Sequence, residues 1–419
     1  MTGPVALLHY TAPPVVGGVE SVLGAQAREF AAAGHDVRVI AGRGAAPGPG
    51  VAFVRIPLAD TRHPRIVGFR AELNGGTIPV RFDETVDELG VQLARALEGV
   101  RVLIAHNVGT LPLNLALSAA LRRIADTPGQ ARVILWHHDI AGTSLHYRRT
   151  LWPGYPWDLV LTAWPGVRNV AISRARAAQL VEATGIRPDA VVVIPNGIDL
   201  DRALALAPAT SRLIDRLDLA GAAPILLVPA RMAPRKNLEL GIRVLAEIRA
   251  RDLDGRLILT GSLDPHDPLS AGHRRDLAAV AAGLGVSSAV HVIAEHLGRP
   301  SGGRLVADLF RVADALFLPS TDEGFGLPIL EAGATRLPVI CADVPALREL
   351  AGPDGTYFDP AGEPSEIADV VLERLAVDPA HRLAARVRSG YTWPEVFRRR
   401  IAPLVAEVAR ARASRSGET

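Results

Sequence analysis

Short apolar runs alternate with longer amphipathic stretches along this 419-residue chain. The first half carries a helical stretch, VESVLGAQAREFAAAG, and several strand-like runs: VALLHY, HDVRVIAG, VRVLIAHN, ARVILWHHD, RNVAIS and AVVVIPNG. Strands this apolar, when helices separate them, are typical of a parallel sheet covered on both faces. The pattern therefore predicts an α/β fold built on a parallel sheet.

A second alternating series follows the turn signal Asn196-Gly197. Its strand-like runs are PILLVPA, GRLILTG, AVHVIAE, ADALFLPS and LPVICAD, with helices over Leu238–Arg251, near Leu277–Leu284 and from Leu327. Since the chain is too long for one ordinary core, we expect two doubly wound, Rossmann-like domains facing a central cleft. We place them at 1–203 and 204–392, with a C-terminal helix at 393–419 packing back on the first domain.

Charge and cysteine content narrow the class of protein. The chain has 46 basic and 44 acidic residues, without the concentrated basic face of a nucleic-acid binder. Its single cysteine, Cys341, excludes an internal disulfide framework, and the apolar sequence around it predicts a buried strand thiol in a reducing cytoplasm. The N-terminus reads as a first strand rather than a signal peptide, and no apolar run reaches the length of a membrane span. A cytoplasmic protein is the expectation.

The stretch PARMAPRKN contains the only lysine of the chain, Lys236, five residues after Arg231. Both follow a predicted strand directly, and ligands of open parallel sheets bind beyond the carboxyl ends of the strands. A lysine ammonium is a compact point charge suited to a terminal phosphate. We therefore interpret the pair as a diphosphate site. The alternative is a pair of exposed loop cations, with one lysine left over from a drift to arginine.

The stretch STDEGFGLPILEAGA places Glu323 in a loop and Glu331 about one turn inside the next helix. The backbone amides of Phe325, Gly326 and Leu327 would point at an anion from the helix N-terminus. Carboxylates repel phosphate, so the two glutamates are better suited to accept hydrogen bonds from hydroxyls of a hexose and a ribose. The competing interpretation is a pair of helix-end glutamates favoured by the helix dipole.

Two further motifs follow predicted strands of the first half. Gly17 and Gly18, in PVVGGVES, would bring a helix N-terminus close to a phosphate. Their spacing is not the G-x-G-x-x-G dinucleotide fingerprint, which disfavours a nicotinamide enzyme. His137 and His138, in WHHDI, lie at the end of a strand where ligands bind, and the spacing of the other histidines does not suggest a zinc site.

Together these motifs resemble the retaining glycosyltransferases of family four, which have the GT-B fold. The resemblance covers most of the chain. It includes GGVE after the first strand, His138-Asp139, IPNGID before the linker, R-x4-K at Arg231 and Lys236, and EGFGLPILE, which matches the family's E-x7-E signature.

The resemblance implies a role for each matching position on the donor side. Arg231 and Lys236 would stabilise the departing nucleoside diphosphate, and Glu331 would bind the ribose hydroxyls. The remaining donor contacts are Glu323 and the amides of Phe325, Gly326 and Leu327 on the hexose, Gly17 and Gly18 near the phosphates, and the loop at residues 292–296 around the base.

His138 would contact the transferred sugar near the reacting carbon. Asn107, His137, Asp139 and Tyr147 are acceptor-side candidates. The implied chemistry is transfer of a hexosyl group from a nucleotide-sugar donor to a small-molecule acceptor, with retained configuration, no cofactor and no required metal.

Several alternatives remain open at this stage. A peripheral-membrane transferase with a lipid or polysaccharide acceptor is one, because residues 62–73 read as a basic amphipathic segment. A GT-B-like epimerase, a phosphorylase and a non-catalytic binding module are others. The nucleotide base, the donor sugar, the acceptor, the linkage and a homo-oligomeric state are not specified by the sequence.

Overall fold

The strands form two separate, wholly parallel sheets in the computed structural model, which describes residues 3–261, 270–298 and 301–410. Each sheet belongs to its own compact unit. The first unit runs to Gly197 and takes in the segment from Trp393, and the second spans Ile198–Thr392. The fold class is therefore α/β with two doubly wound sheets, as the alternation of strands and helices predicts.

The first unit has the strand order β3-β2-β1-β4-β5-β6-β7. Its strands are β1 Val5–Leu8, β2 Val37–Ala41, β3 Val51–Arg55, β4 Val102–His106, β5 Arg132–His137, β6 Arg168–Ala171 and β7 Val191–Val193. Its helices before residue 197 are α1 Gly18–Ala32, α2 Pro64–Asn74, α3 Phe82–Ala96, α4 Leu115–Asp126, α5 Leu145–Arg148 and α6 Arg174–Thr184. The order reverses between β1 and β4, which is where doubly wound sheets bind ligands.

The second unit has the strand order β10-β9-β8-β11-β12-β13. Its strands are β8 Ile225–Val228, β9 Arg256–Leu259, β10 Val290–Val292, β11 Ala315–Leu318, β12 Val339–Ala342 and β13 Thr356–Phe358. Its helices are α7 Leu200–Ala203, α8 Pro208–Arg216, α9 Leu238–Arg249, α10 Ser270–Gly283, α11 Ile293–Leu297, α12 Gly303–Val312, α13 Leu327–Thr335, α14 Pro345–Ala351, α15 Pro364–Val377 and α16 Pro379–Gly390. Here the order reverses between β8 and β11.

The chain re-enters the first unit after α16. Helix α17 (Trp393–Val396), a π-helical turn and helix α18 (Ala402–Arg410) follow. Side chains of this segment share a core with β1 and α1, and Phe397 meets Phe30 edge-on, with ring centroids 4.9 Å apart. Residues 411–419 of the expected C-terminal helix lie outside the described residues.

The N-terminal segment of the first unit ends at Gly197. The sequence predicts this boundary a few residues later, at position 203. Ile198 forms an isolated parallel bridge with Thr392, and its amide donates to the Tyr391 carbonyl at 2.7 Å. This pairing ties residues 198–203, including α7, to the second unit.

A buried ionic cluster holds α16 to the amino end of the second sheet. Asp314 precedes β11, is 4% exposed, and accepts two hydrogen bonds from Arg388 at 2.7 and 2.6 Å. It also contacts His381 at 3.0 Å and the Ile225 amide of β8 at 2.8 Å. Burial by itself would raise the pKa of Asp314, but these partners hold it below its ordinary value.

Cys341 lies in β12 and is fully buried, as expected from its apolar neighbours. Burial raises the pKa of its thiol to about 12, so the thiol is not a reactive nucleophile at neutral pH. Among the described residues, no helix combines the length and the apolar character needed to cross a bilayer.

Candidate functional site

The loop after β8 and the loop after β11 meet at the point where the strand order of the second sheet reverses. The Thr321 amide donates to the Arg235 carbonyl at 2.9 Å, which links the two loops directly. Asn237 ends the first loop in the left-handed conformation (φ 49°), and its side-chain amide donates to the Pro360 carbonyl at 3.2 Å. The backbone around Lys236 is therefore fixed on both sides.

Lys236 and Glu323 form an ion pair across these two loops. The ammonium contacts Glu323 Oε2, and the two side chains are only 13% and 14% exposed. Arg235 lies at the edge of the pair, 3.9 Å from the same carboxylate oxygen. Arg231 is exposed at the start of the loop. The two residues that the sequence predicts for a diphosphate and a hexose thus lie together.

The N-terminus of α13 carries the glycine pattern of the motif. Gly326 precedes the helix with φ 90°, and a Cβ there would come within 2.9 Å of the Leu347 side chain. Glycine is therefore required at this turn both by backbone conformation and by space. Phe325 and Leu327 on either side are each 58% exposed, and Glu331 is exposed one turn later. As predicted, the helix begins at Leu327 with a proline in its first turn.

The prediction of a loop at residues 292–296 is wrong. Strand β10 ends at Val292, and residues Ile293–Leu297 form the short helix α11, which ends at Gly298 in the left-handed conformation. AVHVIAE is therefore a three-residue strand followed by a helical turn. Helix α11 now occupies the position proposed for contacts with the base.

Histidine side chains converge where β1, β4 and β5 of the first sheet end. His106 Nδ1 lies 3.0 Å from His138 Nε2, and His9 Nδ1 lies 2.9 Å from the His106 carbonyl oxygen, to which it donates. All three residues are at most 5% exposed. Burial lowers the pKa of His138 to about 3, with smaller contributions from His9 and His137, and burial likewise lowers the pKa of His106 well below its ordinary value.

Asn107 has a structural role at the end of β4. It adopts φ 60°, is 3% exposed, and its Oδ1 accepts hydrogen bonds from the amides of His138 at 2.8 Å and Asp139 at 3.2 Å. The amide oxygen that an acceptor would use is thus already occupied by the β5 loop.

His137 also faces the interior. It is 1% exposed, with Nε2 at 2.9 Å from Asn169 Oδ1 and Nδ1 at 3.3 Å from Thr110 Oγ1. Since both ring nitrogens are engaged, direct contact with an acceptor does not fit this side chain.

Asp139 and Tyr147 are the more accessible of the acceptor-side candidates. Asp139 is half exposed and lies 3.3 Å from Arg176 Nη2. Partial burial raises the pKa of Tyr147, and the charge of Asp139 raises it further while Arg70 opposes the shift. Both residues remain compatible with binding a ligand at this edge of the sheet.

Gly17 and Gly18 differ in what surrounds them. A Cβ on Gly17 would lie 2.0 Å from Glu20 Oε2, whereas a Cβ on Gly18 would meet nothing within 4 Å. Glu20 Oε1 accepts a hydrogen bond from Thr11 Oγ1, and His9 Nε2 lies 3.9 Å from this Oε1 atom. Gly17 thus makes room for Glu20, and Gly18 leaves open space at the start of α1.

His9, Glu20, His106 and Asn169 were missed as site residues by the sequence analysis. Glu20 is part of the GGVE motif and could have been noticed there. The other three are polar residues in or next to strands of the first sheet, and no motif marks them. Only the strand pairing, with Leu8 beside Ala105 and His106 beside Trp136, brings them together.

Comparisons with known proteins match both units. Residues 16–202 match the family described as Glycosyltransferase Family 4, and residues 223–376 match Glycosyl transferases group 1. A D-inositol 3-phosphate glycosyltransferase of Kineococcus radiotolerans is 31% identical over 57% of this chain and 59% of that protein. This chain spans about half the length of several such relatives that it matches.

Other similarities extend over the whole chain at lower identity. An MMP alpha-(1->4)-mannosyltransferase of Mycolicibacterium hassiacum is 25% identical over 98% of this chain and 99% of its own. Among solved structures, a glycosyltransferase from Rickettsia africae is 15% identical, with a TM-score of 0.39 over 98% of this chain and 100% of that one.

Proposed function

We propose, from the premise that this chain belongs to the GT-B glycosyltransferases of the family 4 type, that it moves a hexosyl group from a nucleoside-diphosphate sugar to a hydroxyl of a small acceptor with retained configuration. The observation that carries the proposal is the contact between Lys236 and Glu323 at the reversal point of the second sheet. An ammonium for the diphosphate and a carboxylate for sugar hydroxyls are thereby adjacent.

The chemistry requires stabilisation of the leaving diphosphate. Lys236 and Arg231 supply positive charge where negative charge develops as the glycosidic bond breaks. The donor phosphate itself accepts the proton of the attacking hydroxyl on the same face, so no carboxylate base is needed. Metal-independent transfer is part of the proposal, and activity that persists in excess chelator is its test.

The acceptor in this proposal is a small hydroxylated molecule. One relative is named for D-inositol 3-phosphate, a small phosphorylated polyol, which supports an acceptor of that size. A screen of nucleotide sugars by thermal shift, followed by a screen of acceptors by release of nucleoside diphosphate, would identify both substrates.

Lys236→Ala tests the assignment of the diphosphate site. We expect turnover to fall on the order of a hundredfold or more, as when one group that stabilises transition-state charge is removed. The matched control is Arg243→Ala, which removes a cation from the exposed face of α9, where Arg243 pairs with Glu239. Near-normal turnover by a folded Lys236→Ala protein, judged by its thermal midpoint, would refute the proposal.

A lipid acceptor is the second candidate, and one surface of the first unit favours it. In the loop after α2, Val80 is fully exposed and Ile78 is 45% exposed, and Gly76 packs against the ring of Trp152, itself 43% exposed. Arg81 next to this surface and the arginines of residues 62–73 add positive charge. Exposed apolar side chains beside basic ones suit an anionic membrane surface.

Vesicle flotation separates the two candidates. With a small soluble acceptor we expect the protein to stay at the bottom of the gradient with anionic and neutral vesicles alike. Flotation with anionic vesicles that Val80→Glu abolishes would instead favour the lipid acceptor.

A further inference from the structure

The contact between His106 and His138 requires one shared hydrogen. His106 Nδ1 and His138 Nε2 lie 3.0 Å apart, and the two residues are 0% and 5% exposed. Two bare lone pairs at this distance would repel each other, and so would two N–H groups. With both rings neutral, one nitrogen donates and the other accepts.

The surroundings of His106 decide which ring donates. Its other nitrogen, Nε2, is buried and has no hydrogen-bond partner among the described residues. If His138 donated, His106 would carry its hydrogen on Nε2 and leave a buried N–H unsatisfied. If His106 donates, Nε2 is instead a bare acceptor, and buried N–H groups without a partner are the rarer of the two in proteins. A hydrogen on Nδ1 avoids that buried donor.

The neighbouring indole supports the same assignment. Trp136 pairs with His106 across β4 and β5, and the ring centroids are 5.8 Å apart. Its indole N–H is also buried without a partner among the described residues. A bare Nε2 on His106 avoids a second unpartnered buried N–H in the ring beside this indole. His106 Nδ1–H therefore donates to His138 Nε2.

We propose that His106 is a positioning residue: it fixes His138 in the tautomer protonated on Nδ1, so that His138 presents an N–H donor to the transferred sugar. This inference rests on the proposed function. His138 Nε2 is then occupied and Nδ1 already carries its hydrogen, so His138 cannot take the proton of the acceptor hydroxyl. The side chain binds an oxygen of the sugar, and proton transfer is left to the donor phosphate.

The loop that carries His138 is fixed independently of the ring contact. Asn107 Oδ1 accepts hydrogen bonds from the backbone amides of His138 and Asp139 at 2.8 and 3.2 Å. Replacing His106 should therefore change the tautomer and orientation of the His138 ring without releasing the loop.

Two variants separate positioning from simple packing. His106→Asn keeps an amide N–H near the position of Nδ1, whereas His106→Leu fills part of the volume without a donor. We expect His106→Leu to lose on the order of tenfold in kcat, the scale of one hydrogen bond, and His106→Asn to recover most of that loss. His35→Leu, the same substitution before β2 at the amino end of the sheet, is the matched control and should keep kcat.

The tautomer is read directly by NMR of the full chain labelled with ¹⁵N-histidine. We expect the wild-type His138 ring to carry its hydrogen on Nδ1, and His106→Leu to show the Nε2–H form or a mixture. An Nε2–H ring in the wild type overturns the inference, and so do equal kcat values for the Leu and Asn variants. If His106→Leu fails to fold, the wild-type spectrum and the Asn variant still decide.

Failure of the proposed function gives a different result. If the wild-type protein transfers sugar from none of the nucleotide donors tested, the proposed function is refuted. The ring spectrum answers the tautomer question whether or not transfer occurs.

Discussion

The ammonium of Lys236 has two competing anionic partners if the proposed function holds. One is Glu323, which it contacts within the chain, and the other is the diphosphate of the donor. Both side chains are largely shielded from water, so the interactions among the three charges are stronger than at an open surface. The affinity for a diphosphate therefore depends on the charge of Glu323.

Glu323→Gln should tighten the binding of a nucleoside diphosphate that carries no sugar. The substitution removes the competing carboxylate and its repulsion of the phosphates, and we expect a severalfold to about tenfold lower Kd by calorimetry.

Asp322→Asn is the matched control, because it removes the same charge from an exposed neighbour. If both variants shift the Kd equally, the shift results from the change in net charge. Competition between Glu323 and the diphosphate for Lys236 is then disproved. Weaker binding by Glu323→Gln would also contradict it.

At the residue scale, motifs predicted the second unit better than the first. Arg231 and Lys236 lie within one continuous stretch of sequence, and Glu323 and Glu331 lie within another, so the spacing inside each stretch carries the information. The histidines in the first unit come from three separated strands. His106 is a single polar residue in an apolar run, and its contact with His138 depends on which strands pair.

The start of α1 supplies a test at the scale of one element, because its two glycines meet different surroundings. Gly18→Ala adds a methyl group in open space, so the fold should tolerate it. Any loss of donor affinity would then come from contact between the methyl group and the bound donor. Gly17→Ala should displace Glu20 and weaken its contacts with Thr11 and His9.

We expect Gly17→Ala to lower the thermal midpoint of the protein and Gly18→Ala to leave it within about a degree. Donor affinity, measured as the Kd for the nucleotide sugar, should fall for Gly18→Ala. Unchanged affinity would show that this glycine is not close to the phosphates.

Element boundaries were predictable where a chemical signal marks them. Pro328 lies in the first turn of α13 and marks the start of that helix. Gly34 marks the end of α1. AVHVIAE contains no such signal between strand and helix, so the end of β10 was misplaced.

Two strands were not predicted at all. Strand β3 is an edge strand with side chains of mixed exposure, and β13, also at an edge, has three residues. Neither gives the continuous apolar run of a central strand.

At the scale of the whole molecule, all five tryptophans lie in the first unit, at positions 136, 152, 157, 164 and 393. Tryptophan fluorescence therefore reports the unfolding of that unit alone. The same unit buries His9, His106, His137 and His138. Burial lowers the pKa of each of the four, to about 4 for His137 and to about 3 for His138.

Acid should consequently destabilise the first unit. In the unfolded chain these histidines bind protons near pH 6.5, whereas in the folded unit they stay neutral to much lower pH. The free energy of unfolding is at its full value above pH 6.5 and falls as the pH drops towards 4. Each proton bound only by the unfolded state contributes a slope of about 1.4 kcal/mol per pH unit.

The measurement is urea unfolding followed by tryptophan fluorescence between pH 7 and 5, above the range where most carboxylates titrate. The free energy of unfolding should fall steadily over this range, and His137→Asn should reduce the slope by about one proton. His291→Asn is the matched control: its ring is also buried with a pKa of about 4, but it lies in the second unit and should leave the fluorescence slope unchanged. A flat dependence, or equal slopes for the two variants, would mean that these buried histidines do not control the acid stability of the first unit.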